Sequence, residues 1–406
     1  MGSNAFSRIR VAVSARVLPW LRIPIPLTFV GVQASVAVCR SIAGSGARRV
    51  LLVSDKPLLA LGIAQPMIDA LREEGVQVEI FDEVVPDPDE DLVMRGVQRM
   101  TAMQAQALVA IGGGSPIDCA KAMNLCYANG RTPTQLAGLW LYAAPRRRGL
   151  PFYAVPTTAG TGSEVTMAAV VSDRKARVKR SIIDPRLVPD AVALDPALTT
   201  GLPASITAAT GMDALTHAVE AYCSTLATTQ TDAWALSAVT LISRHLVTCT
   251  RDGANLAARE GMLLASYQAG LAFTRAGVGY VHAIAHQLGA LYHVPHGLAN
   301  AIVMPRVLDF SKARSVPRLA QLARAAGLQG QRDDDAWLAD AFVAWVRQLN
   351  AELKIPAIVE KLAPQDFGQI VRQAFAEAHG TYGVPRYMDT DDALGVLNAL
   401  TPQPAH

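Results

Sequence analysis

Four of the chain's eight histidines fall within HAIAHQLGALYHVPHG, residues 282–297. Imidazoles this dense serve as metal ligands, as acid–base groups, or as ordinary residues near a helix end. His282 and His286 are four apart, so on a helix they share one face, one turn from each other. His296 lies between Pro295 and Gly297, a pair that predicts the end of the helix at that point. A catalytic metal needs three protein ligands and an open position, so the rest of the chain has to supply more donors.

They occur in ATGMDALTHAVEAY, residues 209–222, where Asp213 and His217 are again four apart in a helical stretch. Carboxylate and imidazole then point the same way. With His282, His286 and His296 this makes five candidate groups. One carboxylate among imidazoles suits iron or zinc better than Ca²⁺ or Mg²⁺.

Two further stretches suit a nucleotide. ALVAIGGGSPIDCAKAMN reads as a buried strand ending at Ile111, a turn at Gly112, Gly113 and Gly114, then a helix with Ser115 as N-cap and Pro116 at its first position. Such a turn lets a diphosphate approach the backbone and the free N–H groups of the helix start. The spacing is not GxGxxG, and a tight turn without a ligand would look similar. VPTTAGTGSEVT (155–166) is a second strand end, with Thr157, Thr158 and Thr161 as donors to phosphate or ribose. Asp55 closes the strand RRVLLVSD, where an acidic residue accepts ribose hydroxyls and repels a 2′-phosphate. That favours NAD over NADP; a turn-forming Asp is the plainer alternative.

The elements that must position these groups divide the chain in two. Strand-like runs (LTFVG, RRVLLVSD, VQVEIFD, ALVAIGGG, PFYAVPTT) alternate up to about residue 160 with helical stretches (KPLLALGIAQPMIDALREEG, DEDLVMRGVQRMTAMQ). This alternation predicts an α/β domain with a parallel sheet. VPDPDEDL (85–92) reads as a loop and an acidic first helical turn. From Ala204 onwards Ala- and Leu-rich segments of helical period take over. The expected domains are 1–195, including an N-terminal extension (1–24), and an all-helical 196–406. At 406 residues two domains are the natural expectation, and no internal repeat stands out.

Composition narrows the partners. Half the residues are hydrophobic and the net charge is only +3, with the basic runs RRR (146–148) and RKARVKR (174–180) short and most of their residues read as solvated loop, so no nucleic acid is expected. The five cysteines are scattered without a CxxC pair, which fits a reducing cytoplasm and no thiolate zinc site. The arginine-spaced start has no signal-peptide pattern, and Ile23–Cys39 is too short and proline-broken to span a bilayer.

GGGSPID, PTTAGTGSEVT, GMDALTHAVEAY and HAIAHQLGALYHVPHG, in this order, resemble the motifs of the iron-containing (group III) alcohol dehydrogenase family, over nearly the whole chain from about residue 25. The resemblance implies a Rossmann-like N-terminal domain and a helical C-terminal domain, a dehydroquinate synthase-like two-domain plan with NAD(P) and metal meeting in the cleft. It assigns the metal to Asp213, His217, His282 and His296, and makes His286 the histidine beside the nicotinamide. It gives Gly112 to Ser115 to the diphosphate, Thr157, Thr158 and Thr161 to cofactor contacts, and adds Lys179 as a cofactor contact. Asp55 matches the acidic position that favours NAD. One departure is FTRAGVGYVHA: after Phe273 the family often carries a small polar pair, and here the stretch contains Arg275. Phe273 and Arg275 are the candidate substrate contacts; facing substrate, Arg275 would suit a carboxylate, and tied to a helix end, it would not.

The expected activity is reversible hydride transfer between a primary alcohol or diol and its carbonyl, with NAD and Fe²⁺ (or Zn²⁺), in a homodimer or larger assembly. Alternatives are a maleylacetate reductase or hydroxyacid–oxoacid transhydrogenase, which Arg275 would serve, a dehydroquinate-synthase-like cyclase, and a non-catalytic relative.

Overall fold

The computed structural model describes Val11 and residues 23–139, 146–173, 178–330 and 333–402. Apart from Val11, Ile23 and Pro24, the N-terminal extension lies outside the described residues, as does 174–177 of the second basic run. The chain divides into two compact units, the first ending at Gly201 and the second starting at Leu202.

The first unit is built on β1 (Leu27–Val30), α1 (Ala34–Gly44), β2 (Arg49–Val53), α2 (Lys56–Ala60), α3 (Gln65–Glu73), β3 (Gln77–Phe81), α4 (Glu90–Ala102), β4 (Ala107–Gly112) and α5 (Gly114–Asn129). There follow α6 (Pro133–Leu136), β5 (Gly138–Leu139), β6 (Phe152–Pro156), β7 (Ala168–Asp173), β8 (Val178–Ile183) and β9 (Ala191–Leu194). Six strands form one parallel sheet in the order β1-β9-β6-β4-β2-β3. Helices cover both of its faces, which is why β4 and β6 are apolar and buried at every position instead of alternating. On one face Val50, Leu52, Val109, Ile111 and Val155 pack with Val38, Ile42, Met67 and Leu71 of α1 and α3. The alternate residues, Leu51, Leu108, Ala110 and Ala154, are equally buried and turn to the other face, where α5 lies against β4 and β6.

Two expectations need correcting. KPLLALGIAQPMIDALREEG folds as two helices, α2 and α3, because Gly62 takes φ +72° and Pro66 can only open a helix after that turn. The segment after β6 carries strands that the sequence reading did not anticipate: β7 and β8 pair antiparallel, with β5 on the far side of β8, as a separate three-stranded sheet. VPDPDEDL behaves as read: Asp89 caps α4 by accepting from Leu92 N at 2.8 Å, and Glu90 and Asp91 occupy the first turn.

In the second unit every regular element among the described residues is helical: α7 (Ala204–Cys223), α8 (Thr229–Arg251), α9 (Leu256–Ala276), α10 (Tyr280–Tyr292), α11 (His296–Ala325), α12 (Asp335–Glu352), α13 (Phe367–Ala378) and α14 (Thr390–Ala399), with a short 3-10 turn at Pro364–Asp366. Helix α7 is the hub, packed against α8, α9 and α11. Its residues 211–219 are all buried, Asp213 and His217 included. A helix enclosed on all sides has no room for charged groups unless they are paired or bind something. No helix is long and apolar enough to cross a membrane, among the described residues.

Candidate metal centre and nucleotide loops

The stop predicted at His296 is a start. Helix α10 ends at Tyr292, where His293 turns left-handed at φ +55° and donates its N–H to Gly289 O. Pro295 then precedes the first residue of α11, a position that spares a proline any lost hydrogen bond. His293 is therefore a chain-turning residue. Gly297, in the first turn of α11, lies so close to α7 that an added Cβ would sit 2.4 Å from Ala209 O. That approach of two backbones brings His296 beside Asp213.

Asp213, His217, His282 and His296 each offer a ligand atom, and these atoms all lie within 4.8 Å of one another. His296 Nε2 is 3.4 Å from Asp213 Oδ1, and His282 Nε2 is 4.0 Å from it. The His217 ring stacks between Phe273, at 4.0 Å, and His282, at 4.6 Å. Phe273 thus backs the imidazole. His282 is held well below its ordinary pKa, first by burial and then by the neighbouring imidazoles of His217, His296 and His286, so it stays neutral.

Three supporting residues escaped the sequence reading. Glu220 Oε2 lies 2.6 Å from His282 Nδ1, and the carboxylate also accepts from the backbone N–H of Gly279 (2.8 Å) and Val281 (2.7 Å). Burial raises the pKa of Glu220, and these donors pull it back down. With Nδ1–H given to Glu220, the lone pair of His282 is on Nε2, facing the other donors. Asn300, fully buried, donates from Nδ2 to Asp213 Oδ1 at 2.7 Å and sits 3.2 Å from both His282 Nε2 and His296 Nε2. Its own Oδ1 is buried without a partner. Glu377 Oε1 meets His286 Nδ1 at 2.7 Å. Glu220 and Asn300 had a signal, three residues after His217 and four after His296 on the same helices. Glu377, on α13, had none.

A carboxylate and three imidazoles whose lone pairs converge, with an orphaned amide oxygen beside them, are the donor set a divalent transition metal requires. His286 belongs to the same wall without joining the set: its ring stacks on His296 at 5.2 Å and meets His282 edge-on at 5.9 Å. Arg275, in the last turn of α9, donates to Leu271 O at 3.1 Å and lies over the Trp234 ring at 5.1 Å. These contacts fit the helix-end role.

In the first unit the two loops lie side by side. Gly112 takes φ +149°, a conformation that suits glycine, and this turn starts α5 at Gly114. Gly113 is consequently the N-cap, correcting Ser115, which is already inside the helix. Gly112 O accepts from Thr157 N at 3.0 Å. A Cβ on Gly113 would lie 3.4 Å from Thr158 Oγ1, and one on Gly114 3.1 Å from Thr161 Cγ2. The space between the loops is thus kept by missing side chains, as a diphosphate cradle requires. Behind it, buried Lys121 donates to Thr166 O (2.7 Å), Thr166 Oγ1 (2.9 Å) and Ala168 O (2.9 Å), and Asp118 accepts from Val170 N at 3.0 Å. Burial lowers Lys121 to about 8 and raises the neighbouring Glu164 to about 7.

Asp55 caps α2, accepting from Leu58 N at 2.8 Å through Oδ1. Lys179, on β8, pairs with Asp87 at 2.5 Å on the surface. The structure thus gives each of these two a local partner.

The family model for iron-containing alcohol dehydrogenase matches residues 27–196, and the model for the C-terminal part of the Fe-containing alcohol dehydrogenase family matches 207–401. The chain is 39% identical over 359 residues to 1,3-propanediol dehydrogenase of Klebsiella pneumoniae, covering 87% of this chain and 92% of the relative. It is 35% identical over 378 residues to the NAD-dependent methanol dehydrogenase of Bacillus methanolicus, covering 92% and 98%. The solved structure of an alcohol dehydrogenase from Oenococcus oeni superposes with a TM-score of 0.88 at 30% identity, over 93% of this chain and 99% of that one. With both halves matched and relatives spanning nearly its full length, the chain belongs to the iron-containing alcohol dehydrogenase family, oxidoreductases that act on CH–OH donors.

Proposed function

We propose that this protein catalyses reversible, NAD-linked oxidation of a primary alcohol or diol to its carbonyl form, using Fe²⁺ held by Asp213, His217, His282 and His296. The observation that carries the proposal is the convergence of these four donors within 4.8 Å. Three imidazoles and a carboxylate accept Zn²⁺ as well, and the preference for iron follows the family.

When bound, the metal supplies Lewis acidity to the substrate oxygen. A bound nicotinamide would supply the hydride acceptor or donor. The chain's own residues do the rest. Glu220 keeps Nδ1 of His282 protonated, so that Nε2 is available as a donor atom. Phe273 holds the His217 ring in plane. His286, which lies against His296 and outside the donor set, accepts the alcohol proton and passes it to water. The Gly112–Ser115 turn and Thr157, Thr158 and Thr161 receive the diphosphate and ribose, Lys179 reaches the cofactor from the second sheet, and Asp55 selects NAD over NADP.

Arg275 is engaged by Leu271 O and Trp234, which supports a neutral substrate over an oxo acid. All five cysteines are free thiols, consistent with work in a reducing cytoplasm. Exposed Ile25, Leu27 and Val30 on and beside edge strand β1 support a homodimer or larger assembly.

NADH and NADPH oxidation against short aldehydes, α-hydroxy aldehydes and 2-oxo acids, with metal-stripped enzyme and enzyme reloaded with Fe²⁺ or Zn²⁺, tests the proposal. Metal-dependent turnover of neutral aldehydes with NADH is expected. Turnover of oxo acids alone would return Arg275 to the substrate site. Full activity without metal would overturn the ligand assignment.

A further inference from the structure

His286 is anchored from a part of the chain far from it in sequence. Glu377, in the last turn of α13, places Oε1 2.7 Å from His286 Nδ1. The same oxygen accepts from the Tyr382 hydroxyl at 2.6 Å, and Oε2 lies 3.5 Å from Gln287 Nε2. Helix α13 packs directly on α10, so this contact is part of a helix pair and not a stray surface encounter. Tyr382 is held well above the ordinary tyrosine pKa of 10, first by burial and then by Glu377, so its hydroxyl keeps its proton and donates. Among the described residues no arginine or lysine shares this carboxylate, whose donors are a phenol, an amide and the imidazole.

A carboxylate only accepts, so the imidazole atom facing it must be N–H. In a neutral ring the other nitrogen then carries the lone pair. We infer that Glu377, braced by Tyr382, is a positioning residue that fixes the Nδ1–H tautomer and the ring plane of His286, leaving Nε2 as the proton acceptor. The inference rests on the dehydrogenase reading in which His286 takes the alcohol proton. In that step the O–H bond of the alcohol breaks, Nε2 gains the proton, and the resulting imidazolium is stabilised by the adjacent carboxylate until water removes it.

Glu220 and His282 form a parallel pair, but there the imidazole is in the donor set. The Glu377 pair serves a ring outside the set. Its effect should therefore appear in turnover and not in metal content.

Two measurements on the full chain test this. In metal-free protein labelled with ¹⁵N-histidine, the His286 signals are assigned by their loss in His286→Asn, and their shifts report which nitrogen bears the proton. Wild type is expected to show Nδ1–H, and Glu377→Met, which keeps the length without the acceptor, to show Nε2–H or a mixture. In metal-loaded enzyme, Glu377→Met is expected to lower kcat for alcohol oxidation by about 10²-fold, with metal content and the KM for NAD unchanged. Glu377→Gln keeps an acceptor without the charge and is expected to fall between, at about 10-fold; Tyr382→Phe, the mildest change, at about 3-fold. Adding Glu377→Met to His286→Asn should cause no further loss, because both act through one ring.

An Nε2–H tautomer in the wild type, an unchanged kcat in Glu377→Met, or losses that multiply in the double variant would each overturn the inference. Should the wild type oxidise no alcohol at all, the dehydrogenase reading falls, and the tautomer shifts alone decide whether Glu377 orients His286.

Discussion

The two candidate ligand sites are built on opposite principles. In the first unit the candidate surface is backbone: Gly112 to Ser115 and the threonine loop carry N–H groups and small side chains, and behind them the hydrogen bonds of Lys121 and Asp118 act as braces. In the second unit the surface is ionisable side chains, and the braces are the carboxylates and amides of Glu220, Asn300 and Glu377. A backbone site is damaged by adding atoms; a side-chain site is damaged by removing them. The strength of each perturbation should follow from that difference.

The largest effect is expected from deletion in the donor set. Asp213→Ala removes the one carboxylate and a partner of Asn300 Nδ2, leaving three imidazoles. Metal content should collapse by elemental analysis. Activity should fall by about 10³-fold, the several kcal/mol that Lewis-acid stabilisation contributes. A variant that keeps a full equivalent of metal would mean that the four donors are not the binding set.

The counterpart in the first unit is an addition. Gly113→Ala places a Cβ at ordinary contact distance, 3.4 Å, from Thr158 Oγ1, so the fold should tolerate it. The methyl group stands where a diphosphate would approach the N–H groups. Losing one charge-assisted hydrogen bond corresponds to a rise of roughly 10- to 100-fold in the KM for NAD. Metal content should not change. An unchanged KM would remove Gly113 from the cradle and leave it a turn residue.

Glu220→Gln sharpens the comparison within the side-chain region. The amide can still accept Nδ1–H from His282, but a neutral brace makes a poorer ligand of that ring. A loss of about 10-fold in metal affinity, read by competition with a chelator, is the expectation. An effect as large as that of Asp213→Ala would mean that the brace acts as a ligand itself.

The same contrast explains what could be read from the sequence. The parallel sheet was legible because its strands are buried on both faces and so appear as unbroken apolar runs, as in β4 and β6. The pairs Asp213/His217 and His282/His286 were legible because i,i+4 spacing on a helix is a local signal, whereas the choice of His296 over His286 as a ligand came from the family resemblance. That His296 opens a helix was not legible, since Pro-His-Gly carries both a stop and a start signature and only the approach of α11 to α7 at Gly297 decides between them. The β7–β8 pair was missed because its residues follow a glycine-rich loop and include polar positions that blur the alternation. Glu377 was out of reach for a stronger reason: its tie to His286 spans 91 positions, and nothing in either local pattern records it.

The smallest expected effect concerns Asp55, where a structural and a selective role can be separated by the choice of substitution. The Oδ1 cap on Leu58 N is in the structure; the selection of NAD is proposed. Asp55→Ala removes both cap and charge and should cost about 1 kcal/mol of stability, read as a lower urea midpoint at constant slope. Asp55→Ser keeps a capping oxygen and loses only the charge, so its midpoint should stay close to wild type. Both variants should use NADP several-fold better, because a carboxylate near a 2′-phosphate at the protein surface repels it by about 1 kcal/mol. If NADP use improves in neither while stability drops in Asp55→Ala alone, Asp55 is a helix cap, and the preference for NAD has to come from another residue of the loops.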